Sequence, residues 1–439
     1  MTTQTPLNTQ ELQRADLQHV WHPFTQFREW RETAPLMIES ASGAVLYDTE
    51  GNSYLDAIGS LWVGVHGHRH PVVDRAVRDQ LERVAHSTFL GLSHRPGVEL
   101  ASKLVELAPD GLNRVFYSDS GSTAVEVALK MAFQAQQQRG ERQRTRFASL
   151  REAYHGDTVG SVSVGGIDLF HGVYKPLLFE SLNLECPDHY ESEEELAQKA
   201  CKALDEVGDE LAAIVVEPLV QGAAGMRMHS PTFLDPVLAH ARRLGALVVM
   251  DEVATGFGRT GTLFAAEQLE TKPDLMCLGK GLTNGYLPLA VTLASESVFE
   301  AFTGPHANTF FHGHTYTANP LGCAAAIATL DLFREEETMD RVQGLIELLE
   351  EKLAPLSRRP DILRVRQKGL MVGLDLQDGE GKPLDPALRT GHKVCMAARE
   401  HGVILRPLGD TVVMMPPLCM STDQVQRVVS VFEEVLDGR

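Results

Sequence analysis

Three short apolar runs punctuate the middle of the chain, LAAIVVEP (211–218), LGALVVMDE (244–252) and PDLMCLG (273–279), each stopped by Asp, Glu, Gly or Pro. Near-continuous apolarity over strand length predicts strands covered on both faces, hence a parallel sheet. Helix-length amphipathic stretches at 191–207 and 230–244 precede the first two runs, and such alternation predicts an α/β layer architecture. Upstream, a strand-like NRVFYSDS opens through Gly121 and Ser122 into a segment whose Val125, Ala128, Leu129 and Ala132 recur at helical spacing.

The pattern changes after a long helical stretch at 319–333 and a charged one at 334–353. Short alternating runs then appear at 363–377 and 402–417, and a hairpin pattern occupies 42–56. We expect a large domain with a mostly parallel central sheet over residues 61–335. A smaller α+β domain over 336–439 closes against it, and an N-terminal segment, 1–60, packs beside that smaller domain.

A chain of 439 residues with 43% hydrophobic content can bury a large core. Its formal charge of −19 repels phosphate at long range, which argues against nucleic acid or an anionic membrane as a partner. Any anionic ligand must be captured locally. No run approaches the ~18 uninterrupted apolar residues of a bilayer span. The six cysteines form no CxxC pair and the N-terminus MTTQTPLNTQELQR has no apolar signal core, so a reduced, cytoplasmic protein is expected.

The turn at Gly121 and Ser122 offers free backbone N–H groups, the positive end of a helix dipole and a hydroxyl, a combination suited to phosphate. No GxxxxGK[ST] or suitably placed GxGxxG accompanies it. Lys280 follows an apolar run inside a glycine-flanked turn (LGKGL), and Asp251 ends the run 29 positions upstream. An amine that can condense with an aldehyde and a carboxylate that can hold a pyridinium proton are the groups pyridoxal phosphate chemistry requires. His66, His68 and His70 alternate in HGHRH, but no acid or cysteine joins them at ligand spacing, so no metal site is expected.

The strings DEVATGFGRTG, LGKGL, EPLVQGAAGMRM (217–228) and EAYHGDT (152–158) resemble the class III, ω-amino family of aminotransferases. The resemblance implies the type I fold of pyridoxal-phosphate enzymes. It gives Lys280 and Asp251 the catalytic roles and Gly121 and Ser122 the cofactor phosphate. Tyr154 is the ring-stacking aromatic, and Gln221 lies near the ring hydroxyl. It further implies a homodimer in which the turn of Gly313 and Thr315 lies at the subunit interface, Thr315 reaching the neighbouring subunit's phosphate.

Longer strings, VWHPFTQF (20–27), SLWVGVHGHRHP (60–71), FHGHTYTANPLGCAAA (311–326) and VILRPLGDTVVMMPPL (403–418), are similar to the branch of that family that aminates 8-amino-7-oxononanoate in biotin biosynthesis. That acceptor carries a carboxylate at the far end of an apolar chain. Arg406 matches the family's substrate arginine, whose planar fork suits a carboxylate, and Trp62 matches a wall of the channel. The S-adenosylmethionine-using form has a tyrosine at the position of Phe24, tryptophan at Leu61, and HGPTF where HGHTY stands here, whereas the lysine-using form resembles this chain at those positions, so both amino donors stay open. The alternatives are another ω-aminotransferase, acting on ornithine, 4-aminobutyrate, a diamine or β-alanine, and a non-catalytic scaffold of the same fold.

Overall fold

The computed structural model describes residues 7–167, 171–187 and 192–438. The first six residues, and Glu191 at the start of the acidic stretch, lie outside them. Among the described residues the central sheet has seven strands, ordered Leu112–Ser118, Ala290–Ser295, Leu275–Leu278, Leu247–Asp251, Leu211–Val216, Arg146–Leu150 and Ser181–Leu184. The three apolar runs became strands as expected, and they pair in parallel with one another and with Arg146–Leu150. Leu247 and Val249 face a cluster with Ala124, Ala128 and Ala132 of the helix Gly121–Gln138. Val248 and Met250 face the opposite cluster, with Leu234, Val237 and Leu238 of the helix Pro231–Arg243. Alternate residues thus enter two different cores, which is why the strands carry no polar face.

The sheet is mostly parallel, as expected, with one strand reversed. Ala290–Ser295 runs antiparallel to both its neighbours, Leu275–Leu278 and Leu112–Ser118. The reason lies in the connection: between Leu278 and Ala290 the chain holds only the short 3-10 turn Lys280–Thr283, and a parallel return needs a crossover of a dozen or more residues.

The expected helices appear at Glu193–Val207, Pro231–Arg243, Pro320–Glu335 and Thr338–Leu353. The first begins with Ser192 accepting the N–H of Glu195, and its three leading glutamates sit at the positive end of the dipole. The C-terminal region forms an antiparallel sheet, Ile362–Lys368, Met371–Leu376, Thr411–Met414 and Arg406–Leu408. A third sheet joins the hairpin strands Val45–Asp48 and Ser53–Asp56 to Ile38–Ser42 on one side and to Val403–Ile404 on the other. The segment 403–408 therefore belongs to two sheets, and Arg406 stands just past the point where it leaves one for the other.

Buried polar side chains tie these parts together. The Arg259 guanidinium, almost fully buried, donates to the carbonyls of Trp62, Gly64 and Pro416. Asn284 accepts the N–H groups of Val65 and His66 and donates to Gly67 O. Arg366 reaches from the C-terminal sheet to the carbonyls of Gly225 and Met226. Each removes several backbone groups from water while satisfying them, so loops far apart in the chain are held together.

Gly369 marks a close approach of this kind. It holds φ +60, and a Cβ there would meet Arg259 O and, at 2.6 Å, the Thr260 carbonyl carbon. Gly369→Ala should cost roughly 3 kcal/mol through left-handed backbone strain and overpacking. A thermal melt reads this as a midpoint several degrees lower, whereas Gly379→Ala, facing open space, leaves the midpoint in place.

Candidate active site

The C-terminal ends of the parallel strands deliver the reactive groups to one place. Asp251 is the last residue of its strand, Glu217 follows Val216, and Lys280 lies two residues beyond Leu278. Tyr154 and His155 come from the loop after Leu150, and Ser122 from the helix start after Ser118. In open α/β sheets this edge is where ligands bind. A cavity of about 410 Å³ opens there, lined by Trp62, Gly121, Ser122, Tyr154, Asp251 and Lys280 among others. Six of the ten site residues expected from sequence therefore share one space.

Lys280 enters it under strain and without a polar partner. Its backbone holds φ +41, a conformation unfavourable for a residue with a side chain. Its Nζ stands 4.5 Å from the centroid of the Trp62 ring, and among the described residues no carboxylate or carbonyl bonds it. Burial lowers its pKa to about 8; Asp251 and Glu217 oppose the shift, and Arg259 and Arg406 add to it. Neutral amine, the nucleophilic form, thereby reaches about a tenth of the total at pH 7, far more than an ordinary lysine offers.

Asp251 is fixed from two sides. Its Oδ1 accepts the Val253 N–H at 3.0 Å and its Oδ2 contacts His155 Nδ1 at 2.8 Å. Burial works against a charged His155, but the bond to Asp251 outweighs it and holds the imidazole pKa above its ordinary value. Glu217, also buried, accepts the N–H groups of Tyr154 and Gly222, and burial pushes its pKa up to about 7. Tyr154 in turn donates its hydroxyl to Asp157 at 2.7 Å.

The helix Gly121–Gln138 points its N-terminus into the same cavity. Ser122 Oγ accepts the Thr158 N–H and shares a proton with Thr158 Oγ1 at 2.8 Å. The glycines beside it are needed for the shape: a Cβ on Gly121 would sit 2.5 Å from Val253 Cγ1, and one on Gly156 would sit 2.7 Å from Ser122 Cα. The amides of Gly121 and Ser122 lie in the first helical turn, where no intrahelical acceptor exists. These groups fit pyridoxal phosphate: anion donors at one end, a carboxylate at the other, an aromatic face and an amine between. His155 Nε2 and Trp62 Nε1 are buried there with no partner among the described residues.

The remaining expected residues lie outside this cavity. Gln221 is fully buried, donating Nε2 to Arg151 O, with Oε1 unpartnered. Gly313 and Thr315 are exposed on the loop before Asn319. Arg406 lines a second cavity, of about 310 Å³, with Phe24, Trp30 and Pro35; it is half-buried, no acidic partner reaches it among the described residues, and its charge is felt at Lys280 and Tyr154. The three alternating histidines face apart: His66 bonds Thr329 O, His68 Asp56, and His70 Glu336.

Sequence reasoning passed over His155, Glu217 and Thr158, although the first and third lie in EAYHGDT and the second opens EPLVQGAAGMRM. Their signal was position: Glu217 directly follows a strand of the parallel sheet, and His155 and Thr158 lie in the loop after another, at the same sheet edge as Asp251 and Lys280.

The chain matches the family model for Aminotransferase class-III over residues 27–436. It is 51% identical over 436 residues to the adenosylmethionine-8-amino-7-oxononanoate aminotransferase of Nitratidesulfovibrio vulgaris, covering 96% of this chain and 80% of that protein. The crystal structure of the enzyme of the same name from Methanocaldococcus jannaschii superposes with a TM-score of 0.95 at 38% identity, covering 98% and 99% of the two chains. An omega transaminase from Pseudomonas jessenii, solved in complex with PMP, gives 0.93 at 32% identity over 97% and 98%.

A pKa of about 8 at Lys280 makes the neutral fraction of its amine grow about tenfold per pH unit below that value and level off above it. Uptake of pyridoxal phosphate by the apoprotein, followed by the rise of visible absorbance, should accelerate about tenfold from pH 6 to 7 and hardly change from pH 9 to 10. A flat profile would show that another group receives the aldehyde.

Proposed function

Because the chain belongs to the class III aminotransferases, we propose that it transfers an amino group to 8-amino-7-oxononanoate, yielding 7,8-diaminononanoate for biotin synthesis. It is a pyridoxal-phosphate-dependent enzyme, as its family is. The observation that carries the substrate reading is Arg406, a guanidinium without an acidic partner among the described residues, set among Phe24, Trp30 and Pro35 in a cavity within Coulombic reach of Lys280. A ketone to be aminated at Lys280 and a carboxylate to be gripped at Arg406, joined by an apolar chain, describe that acceptor. The names of the relatives support the same reading.

When bound, pyridoxal phosphate supplies an electron-accepting ring and an aldehyde that carries nitrogen between the two substrates. Lys280 Nζ moves the proton to and from the substrate carbon. Asp251, oriented by His155, would hold the proton on the pyridine nitrogen. Gly121, Ser122 and Thr158 would bind the phosphate at the helix N-terminus, Tyr154 and Trp62 would shield the group from water, and Gln221, whose Oε1 is buried without a partner among the described residues, would take the ring hydroxyl. The two half-reactions use one site in turn, so the amino donor, S-adenosylmethionine or lysine, must vacate it before the ketone enters.

We read the active unit as a homodimer whose Gly313 and Thr315 serve the neighbouring site. Phe311 and Tyr316, which flank them, are 69% and 60% exposed in the single chain, as an interface patch would be. We read the chain as divided into 1–60, 61–335 and 336–439, the first part packing with the third, a reading supported by the pairing of Val403–Ile404 with Ser53–Asp56. Among the described residues no helix is long and apolar enough to cross a membrane, and the six cysteines are unpaired, which suits a reducing cytoplasm.

Lys280→Ala should abolish turnover while leaving the thermal midpoint near that of the parent. Arg406→Ala should raise KM for the keto acid about tenfold to a hundredfold, the worth of a charge-assisted hydrogen bond; an unchanged KM would remove the carboxylate clamp. Mixing the holoenzyme separately with S-adenosylmethionine and with lysine identifies the donor by which one discharges its visible absorbance. If neither does, while a simple ω-amino acid does, another ω-aminotransferase activity replaces this one.

A further inference from the structure

The cavity that holds Arg406 contains more positive charge than one carboxylate needs. Arg389 is already neutralised, paired with Glu29 of the short helix Phe27–Trp30. Arg399 is not: it is half-buried, no carboxylate or carbonyl meets it among the described residues, and its Nε is buried without an acceptor. It reaches the cavity from the helix Thr390–Glu400, whose His392, Met396 and Arg399 recur at i, i+4 and i+7 on one face and line the same space. A place in the last helical turn suits a positive charge, but the dipole provides no acceptor for a buried guanidinium nitrogen. Desolvated donors of this kind are normally satisfied.

The two guanidiniums stand at different depths. Arg406 lies within Coulombic reach of Lys280 and Tyr154, where chemistry occurs. Arg399 shares Cys395 with Arg406, but its other charge neighbour is Tyr54 of the N-terminal hairpin, and it is not among the charges that act on Lys280. We propose that Arg399 is a second specificity-determining residue, so that a long-chain carboxylate is held at the far end of the cavity by Arg399 together with Arg406, and a short one meets Arg406 alone. This rests on the proposed function for the identity of the long-chain acid, though not for the existence of the anion site. It also gives the enzyme a ruler: chain length decides whether one fork or two engage the carboxylate.

The test uses holoenzyme and two unreactive probes, pentanoate and nonanoate, with binding measured by calorimetry and KM and kcat measured for 8-amino-7-oxononanoate. Arg399→Met keeps the apolar stem and removes the fork. It should weaken nonanoate about tenfold or more, leave pentanoate unchanged, and raise KM for the keto acid in parallel with nonanoate while kcat stays within about twofold. Its thermal midpoint without ligand should equal or exceed the parent's, because an unpaired buried charge is gone. Arg399→Lys, retaining charge without the planar fork, should fall between and guards against a folding failure of the methionine variant. Equal loss for both chain lengths, or loss for neither, overturns the proposal. If the parent distinguishes the two acids through Arg399 yet does not aminate 8-amino-7-oxononanoate, the function reading falls and the two-arginine site stands.

Discussion

A lysine amine taken out of water, with no bonding partner among the described residues, is the constraint around which this protein is built. Burial pulls Lys280 to about 8, and an indole face 4.5 Å from its nitrogen leaves it attracted yet unbonded. A direct ion pair with Asp251 would have restored the ordinary pKa and blocked the nucleophile. Asp251 instead spends its oxygens on Val253 N–H and His155, and Glu217 spends its own on two backbone amides. The carboxylates are near enough to oppose the shift at Lys280 and committed enough elsewhere not to quench it.

Holding that arrangement requires backbone conformations that ordinary residues avoid. Positive φ occurs at Lys280 itself, at Ser60, Leu61 and Trp62 behind the indole, and at Leu219 and Phe257 nearby in sequence to the reactive strand ends. Such strain persists only where surrounding contacts over-determine it. The Arg259 guanidinium supplies one such contact set, binding the carbonyls of Trp62 and Gly64 on one side and Pro416 on the other. Burial lowers even this arginine's pKa, to about 10, and the three carbonyls compensate for part of the lost hydration.

Much of this was legible from residue order. The strands at Leu211–Val216, Leu247–Asp251 and Leu275–Leu278 were readable because double-sided burial removes every polar position, and the helix Gly121–Gln138 because glycine and serine announce its start. Strand direction was not: Ala290–Ser295 is nearly as buried as the parallel strands of the same sheet, and only the shortness of the 279–289 connection, once seen, explains why it turns back. Arg406 was found by resemblance to a known motif. Arg399 was invisible because a basic residue in the last turn of an amphipathic helix looks like any solvated surface group until the opposing N-terminal segment covers it. His155 and Glu217 were missed for a related reason, since their importance comes from a meeting of loops more than sixty residues apart.

The two-sheet segment 403–408 has a consequence for how the molecule is made. Ser53–Asp56 emerges from the ribosome early, but its parallel partner Val403–Ile404 is synthesised about 350 residues later, roughly 20 to 70 s at ordinary translation speeds. During that interval the nascent hairpin presents an open edge of unpaired amides and carbonyls. The central sheet can be finished while the hairpin still waits. Catalytic competence is thus a late event in biogenesis, and the N-terminal edge is where a chaperone would have most to do.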